Sequence, residues 1–389
     1  MPALRTLRGW AYQGFRSLPP PLARVGERVL TWRAERDFAI NKPIPPAERR
    51  LIVGPLNTAG QAQRWARAAE TLPDTVARNV VVQRRVATAG GFDYPADWYL
   101  SRAVQLRGMK PYQARVLGAT HVLAESGWAM LDDVFEQWIT NDLFALRRAG
   151  VTVGIVVHGS ELRDLRDHAE REPHSPFRGE WDERWDRLQR TVERTRTALR
   201  ESHLPVFVTT PDMLDYVPSA TLLPLVIDAR RFASATEPLQ RERLAVIHAP
   251  SNPRLKGTAI IDEVLGNLHK EGLVEYRRLE SVPNAQMPAR LAAADIVVDQ
   301  IVMGNVGVLA AEAMAAQRVV VAHVPCDVRS KTPGLPVLEA TPDSLERVIR
   351  DVCHQRESYR DLAARGPDWV RTHHSEAAAA AVLDRWLSQ

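Results

Sequence analysis

Residues 244–258 read LAVIHAPSNPRLKGT: an apolar run, a loop rich in Pro and polar residues, and the start of a helical pattern. The apolar run Leu244–Ile247 is typical of a buried strand, and apolar residues recur at helical spacing over Thr258–Glu271. A second strand pattern, Val274–Arg277, follows. Short apolar strands that alternate with helices predict a parallel sheet covered by helices on both faces.

The same alternation extends through most of the chain. Further strands are predicted at Leu51–Gly54, Asn79–Gln83, Thr120–Ala124, Val151–Val157, Pro205–Thr209, Ile296–Asp299 and Val319–His323. Helices are predicted at Gln61–Leu72, Leu131–Ala149 and Glu376–Leu387, among others. The predicted fold class is α/β, with two Rossmann-like domains, an inter-domain cleft and an N-terminal helical arm.

The domain boundaries follow from a polar stretch without a clear strand, Arg230–Arg241, which we interpret as the interdomain linker. We assign residues 1–48 to a basic amphipathic helical arm, 49–230 to the first domain and 231–370 to the second. Residues 371–389 form a C-terminal helix whose alanine run would let it pack back on the first domain.

The positive charge of the chain lies at its N-terminus. The net charge is +4, yet residues 1–50 alone carry ten Lys and Arg against four Asp and Glu, and residues 51–389 are slightly acidic. Apolar residues recur at helical spacing in the arm, with arginines mostly off that stripe, which predicts contact between residues 1–40 and an anionic membrane surface. Packing of the stripe on its own domain is the alternative.

Composition excludes several classes of protein. Two cysteines are too few for a disulfide framework or a zinc site, and no apolar run approaches the ~18 residues of a membrane span. The N-terminus lacks the apolar core of a signal peptide, so we predict a cytoplasmic protein, peripheral at the inner face of the membrane. Nucleic-acid binding is disfavoured, because the basic charge sits in one terminal arm without a recognition motif.

Candidate anion-binding residues follow the strand at Leu244. Lys256 precedes Gly257 at a helix start, where free backbone amides would complete an anion site with Arg254 as a second cation. Only five lysines occur in the chain and the other basic residues are arginines, which favours a functional role for Lys256. An exposed lysine without a role is the alternative.

A second candidate segment runs from Asp299 to Ala315. A strand ends at Asp299, a loop with glycines follows, and the next helix places Glu312 about one turn from its start. Amides near Gly307 would face an anion, and a carboxylate such as Glu312 can accept both hydroxyls of a ribose. The alternative is that Glu312 has no ligand and only interacts favourably with the positive end of the helix dipole.

Two further candidates lie in the first half. His158 follows a buried strand, at the carboxyl edge where open α/β sheets bind ligands. Gly60 begins a helix after the first strand, and either lets a backbone amide approach a phosphate or merely allows the turn. No Gly-x-Gly-x-x-Gly motif accompanies it, so a dinucleotide cofactor is poorly supported.

Together these motifs resemble the retaining glycosyltransferases of the GT-B fold, in particular glycosyltransferase family 4. The resemblance is clearest over residues 240–325, through Lys256-Gly257-Thr258 and the Gly307–Ala315 segment, and extends loosely to Gly60 and His158. It implies a hexosyltransferase that moves a sugar from a UDP- or GDP-linked donor to a glycan or lipid-linked acceptor with retention of configuration, as in polysaccharide biosynthesis.

The resemblance also implies roles for residues. Lys256 would contact the diphosphate, Glu312 the ribose and His158 the transferred sugar, with His158 and Lys256 as the catalytic pair. No cofactor or obligatory metal is implied. The implied donor-binding residues are Gly60, Ser251, Arg254, Lys256, Gly257, Asp299, Gln300, Gly304, Gly307, Val308 and Glu312.

Three departures from the family pattern leave other functions open. Gly304 stands where the first Glu of the Glu-x7-Glu motif is expected, and Asp299 or Gln300 would have to replace it. The expected arginine falls on Ser251, with Arg254 as substitute, and Gln317-Arg318-Val319 stands in place of a Gly-x-Pro turn. The alternative functions are a nucleotide-sugar 2-epimerase of the same fold and a non-catalytic nucleotide-sugar-binding protein.

Overall fold

The structure is a computed structural model that describes Trp32, Phe38 and residues 43–83, 94–101, 109–131 and 137–389. Most of the predicted arm therefore lies outside the described residues. None of the helices in the described ranges is long and apolar enough to cross a membrane.

The described residues of the first domain form a seven-stranded parallel sheet. Its strands are β1 (Arg49–Gly54), β2 (Thr75–Gln83), β3 (Trp98–Ser101), β4 (His121–Glu125), β5 (Thr152–Val157), β6 (Val206–Val208) and β7 (Thr221–Leu222). The helices are α1 (Gln61–Ala69), α2 (Lys110–Leu117), α3 (Ile139–Arg148), α4 (Gly159–Leu162), α5 (Leu165–Arg171), α6 (Glu183–Ser202) and α7 (Ala229–Phe232), the last in the interdomain segment.

The second domain is built on a five-stranded parallel sheet. Its strands are β8 (Leu244–His248), β9 (Val274–Arg278), β10 (Ile296–Val298), β11 (Val319–Ala322) and β12 (Val337–Glu339). The helices are α8 (Pro253–Lys256), α9 (Thr258–Lys270), α10 (Met287–Ala292), α11 (Val308–Ala315), α12 (Cys326–Ser330), α13 (Leu345–His354), α14 (Arg356–Ala364), α15 (Gly366–His373) and α16 (Glu376–Leu387).

Each sheet reverses its strand order once, between β1 and β4 in the order 3-2-1-4-5-6-7 and between β8 and β10 in the order 12-11-10-8-9. Loops that leave the carboxyl ends of the strands diverge at such a switch point and open a crevice for ligands. Gly60 and Lys256 lie in the connections that follow β1 and β8, Glu125 is the last residue of β4, and Asp299 directly follows β10.

Each domain contributes residues to an apolar cluster of the other. The last helix, α16, packs its buried Ala379, Leu383 and Trp386 with α1 and the first sheet. Conversely, Phe177 and Trp185 of the first domain are buried in one apolar cluster with β8, β10 and β11 of the second. The domains therefore share buried surface on both sides of their interface.

The structure corrects one predicted element. The helix expected over Leu131–Ala149 begins at Ile139, because Trp138 instead forms an antiparallel bridge with Trp128 and stacks on its ring at 5.5 Å. The short strands β3, β7 and β12 were not predicted.

Candidate active site

The second domain brings Lys256 and the start of α11 together. Lys256 Nζ donates to Asp299 Oδ1 at 2.6 Å, and the backbone amide of Gly307 donates to Asp299 Oδ2 at 3.1 Å. A Cβ at Gly307 would lie only 3.4 Å from the Lys256 ammonium. Because the first amides of α11 have no partners within the helix, this corner combines a cation with free N–H donors.

The carboxylate of Asp299 is the centre of this corner and is fully buried, so it holds Lys256 and Gly307 in place rather than facing a ligand. Gln300 is likewise occupied. Its amide nitrogen donates to the carbonyls of Asn305 and His323, and its oxygen accepts from the amides of Val302 and Met303. Both residues therefore shape the loop that precedes α11.

A side chain at Gly304 would have a strained backbone and would crowd its neighbours. Its φ of +70° is a left-handed conformation, and a Cβ there would approach Pro325 at 3.2 Å and Glu172 Oε2 at 3.7 Å. The Glu172 carboxylate comes from the first domain and lies 2.9 Å from Nε2 of His323. A carboxylate of the facing domain thus stands next to the position where the family pattern places its first Glu.

The remaining predicted residues after β8 have different surroundings. Arg254 forms an ion pair with Asp182 of the first domain and lies over the Trp185 ring at 4.1 Å. Ser251 is exposed on the loop. Gly257 has a φ of +73° and caps α9, and a Cβ there would lie 2.9 Å from Ile301, which explains why this position is glycine.

Glu312 on α11 lies at the domain interface with an exposed fraction of 5%. Burial raises the pKa of its carboxyl to about 7, although the positive charges of Arg64 and Arg231 act in the opposite direction. Val308, the first residue of the same helix, is only partly buried and stands next to Gly307. The structure thereby places Glu312 one turn along the helix whose N-terminus faces Lys256.

Gly60 of the first domain lies against the ring of Tyr94. With a φ of +76°, Gly60 begins α1, and a Cβ there would lie 2.6 Å from the Tyr94 ring. The Gly60 amide itself donates to the Asn57 carbonyl at 3.1 Å. Burial raises the pKa of Tyr94 to about 12, helped by the charge of Glu312.

His158 is held on both ring nitrogens. Nε2 lies 3.1 Å from Glu125 Oε1 and Nδ1 lies 3.0 Å from Thr209 Oγ1, while the Trp65 ring stacks on the imidazole at 6.1 Å. Burial alone would lower the pKa of His158, but the hydrogen bond to Glu125 and the charges of Glu161 and Glu125 outweigh it and raise the pKa. The ring is thus fixed at the carboxyl edge of the first sheet.

Sequence reasoning missed Arg64, Tyr94 and Glu125. Glu125 could have been found, because it is the first polar residue after the predicted apolar strand that ends at Ala124. No sequence signal marks Arg64 or Tyr94, since only the packing of the two domains brings them towards Glu312. Among the described residues, no group of three or more His, Cys, Asp or Glu could hold a metal ion.

Comparison by sequence finds no matching family model and no matching curated protein. Comparison by structure finds similar chains. Sucrose-phosphate synthase from Thermosynechococcus elongatus is 12% identical, with a TM-score of 0.63 over 88% of this chain and 98% of that one. Anabaena Alr3699/HepE, solved in complex with UDP and glucose, is 12% identical, with a TM-score of 0.57 over 88% and 99%. WaaG, a glycosyltransferase involved in lipopolysaccharide biosynthesis, is 13% identical, with a TM-score of 0.53 over 86% and 99%.

The chain has the GT-B fold. The prediction of two Rossmann-like domains is thereby confirmed, because each of these structures is matched over nearly its whole length and over both domains of this chain. At identities of 12–13% the likeness concerns the fold, and what the site does has to be argued from its own residues.

Proposed function

We propose that the chain is a glycosyltransferase that moves a sugar from a nucleotide-diphospho-sugar to a glycan or lipid-linked acceptor, with retention of configuration. The observation that carries the proposal is the corner formed by Lys256, Gly307 and the N-terminus of α11, with Glu312 one turn further on. It offers a cation and free amides for a diphosphate and a carboxylate for a ribose, at the switch point of the second sheet.

The proposed reaction depends on stabilising the leaving diphosphate. As the bond between the sugar and the diphosphate breaks, negative charge grows on the phosphate oxygens, and Lys256 with the amides near Val308 would stabilise it. The ion pair to Asp299 fixes the Lys256 ammonium beside Gly307 before the donor arrives. Arg254, paired with Asp182 across the interface, would have to exchange that partner to contribute.

In a retaining reaction on one face of the sugar, the leaving phosphate takes the proton of the acceptor hydroxyl, so no separate carboxylate base is required. His158 would contact the transferred sugar from the first domain, held in orientation by Glu125 and Thr209. A metal ion is not part of the proposal, because Lys256 and the helix amides supply the positive charge.

The nature of the donor is supported by similar structures. Anabaena Alr3699/HepE has been solved with UDP and with UDP-glucose. We therefore propose a UDP- or GDP-linked hexose for this chain. The proposed acceptor is a glycan or a lipid-linked glycan, in keeping with an N-terminal arm rich in arginine.

We further propose that the protein is cytoplasmic and reaches the membrane through residues 1–40. Two residues of this stretch, Trp32 and Phe38, are described. Phe38 is buried and packs edge-on against Trp98 at 5.5 Å and Tyr112 at 5.7 Å, whereas Trp32 has an exposed fraction of 59%. Phe38 would thus join the arm to the first domain.

A binding screen followed by product analysis tests the function. Ligand-detected NMR with UDP-, GDP- and other nucleotide sugars should identify one donor family, and incubation with polyprenyl-linked acceptors should give a product with the donor's anomeric configuration. The Lys256→Ala variant is the control and should give no product. Failure of the wild type to bind any nucleotide sugar would contradict the proposal.

A non-catalytic nucleotide-sugar-binding protein is the second candidate, favoured by one observation. Asp299 and Gln300 are the two residues expected to replace the carboxylate missing at Gly304. Hydrogen bonds to other residues of the second domain already occupy both side chains. Donor hydrolysis in the absence of acceptor separates the two candidates, since slow release of free sugar by the wild type but not by Lys256→Ala requires catalysis.

A further inference from the structure

Arg64 of the first domain is oriented towards the same interface as Glu312. It lies on α1, four residues after the N-cap Gly60, and its Nη1 donates to the Val226 carbonyl at 2.7 Å. Its charge interacts with Glu312 and Tyr94, and burial lowers the pKa of its guanidinium. Since a guanidinium has five N–H donors, this one hydrogen bond leaves most of its capacity unused.

No carboxylate within the described ranges forms an ion pair with Arg64. The other arginine of α1 differs in this respect, because Arg67 pairs with Glu70 at 2.5 Å and with Asp97 at 2.6 Å. Partly buried charges are normally paired, since desolvation without a partner costs free energy. Because Arg64 has no ion-pair partner among the described residues, its guanidinium is able to bind an anion at this place.

The charges around Glu312 favour an anionic partner. Arg64 and Arg231 face the single carboxylate of Glu312, and Arg231 is itself held by the carbonyl of Asn284 at 2.7 Å. The Asp228 carboxylate also acts on Arg64, but it is occupied as the N-cap of α7, where it accepts from the amides of Arg230 and Arg231. The free N–H donors of Arg64 therefore remain for an anionic ligand. A ribose hydroxyl pair would satisfy Glu312, and a phosphate oxygen of the same molecule would satisfy Arg64.

We propose that Arg64 is a donor-binding residue that contacts a phosphate of a nucleoside diphosphate while Glu312 holds its ribose. The inference rests on the proposed function and adds a residue from the facing domain to the site. One bound nucleotide would then connect α1 of the first domain to α11 of the second.

Binding of UDP and uridine, and of GDP and guanosine, measured by calorimetry on the full chain, tests this inference. For the nucleotide that the wild type binds, we expect Arg64→Gln to weaken the diphosphate by about 10- to 100-fold and to leave the nucleoside unchanged, because one charge-assisted hydrogen bond is lost. Arg64→Lys, which keeps the charge, should lose less. Arg67→Gln, on the same helix, should change neither ligand.

The possible outcomes separate the two proposals. Wild-type protein that binds none of the four ligands overturns the proposed function together with this inference. Nucleotide binding that Arg64→Gln leaves intact, or a loss shared equally by diphosphate and nucleoside, overturns the role of Arg64 alone. Thermal unfolding without ligand should show at most a modest loss of stability for Arg64→Gln, because the hydrogen bond to the Val226 carbonyl is removed but no ion pair is. A large loss would indicate a structural role instead.

Discussion

Lys256 Nζ lies 2.6 Å from Asp299 Oδ1, although 43 residues separate them in the chain. Asp299 follows β10 and Lys256 ends α8, so the two side chains meet only because β8 and β10 are neighbours in the sheet. The lysine is the counter-ion of a fully buried carboxylate as well as the proposed diphosphate ligand. Loss of the Lys256 side chain should therefore affect both stability and activity.

Lys256→Ala is expected to abolish turnover and also to destabilise the fold. The change leaves the buried Asp299 carboxylate without its cation. Breaking a buried ion pair costs about 3–5 kcal/mol, whereas loss of one stabilising donor lowers kcat by roughly 100- to 1,000-fold. The double variant Lys256→Ala/Asp299→Asn should recover much of the stability without recovering activity, as unfolding curves and donor turnover together would reveal. Equal activity of Lys256→Ala and wild type would contradict the diphosphate assignment.

Donor affinity should depend on pH through Glu312. Its pKa is raised to about 7 by burial, so the carboxyl gains a proton as the pH falls through 7. A protonated carboxyl accepts ribose hydroxyls less well, and we expect the donor Kd to rise as the pH falls from 8 to 6. Glu312→Gln should bind more weakly at pH 8 and lose most of this pH dependence; a wild-type Kd that stays constant over this range would rule out the ribose role.

The His323–Glu172 pair should make stability fall at high pH. Burial alone would lower the pKa of His323, but hydrogen bonds to Glu172 at 2.9 Å and Glu339 at 2.6 Å raise it to about 9. Because the folded-state pKa lies above the ordinary value of 6.5, this contribution is complete below pH 6.5 and is lost as the pH rises through 9. His323→Gln should flatten the profile of unfolding free energy over this range. A double-mutant cycle with Glu172→Gln should show coupling between the two residues across the domains.

Gly60→Ala and Gly150→Ala form a matched pair. Both glycines have left-handed backbones, with φ of +76° and +77°, but a Cβ at Gly60 meets the Tyr94 ring at 2.6 Å whereas nothing lies within 4 Å at Gly150. Gly150→Ala should cost only the backbone strain of about 1–2 kcal/mol. Gly60→Ala should cost more and weaken donor binding as Tyr94 moves. Equal losses in the two variants, by thermal unfolding, would show that Tyr94 yields without consequence.

A truncation of the arm that keeps Phe38 should remove membrane binding without destabilising the first domain. Deleting residues 1–36 is expected to release the protein from anionic vesicles and leave the unfolding temperature unchanged. Phe38→Ala should instead cost about 3–5 kcal/mol, because the ring is 2% exposed between Trp98 and Tyr112. Vesicle flotation at low and high salt checks the first expectation, and binding that survives the deletion would leave the arm with a structural role only.

Much of the fold was predictable from local pattern. The strands β1, β8 and β10 lie where short apolar runs predicted them, because strands buried on both faces need uninterrupted apolar sequence. The strands β3, β7 and β12, which are two to four residues long, were missed. At α3 the periodicity was misleading, because the tryptophans at 128 and 138 pair across a loop.

The sequence by itself determined the two α/β domains and the residues that follow their central strands, among them His158, Lys256, Asp299 and Glu312. Only the tertiary structure decided how these side chains are used: Asp299 is buried as the partner of Lys256, and Arg64 is left facing Glu312. The reason is physical. Apolar periodicity and helix starts are properties of neighbouring residues, whereas burial, pKa and ion pairing depend on charges that packing brings together from distant parts of the chain.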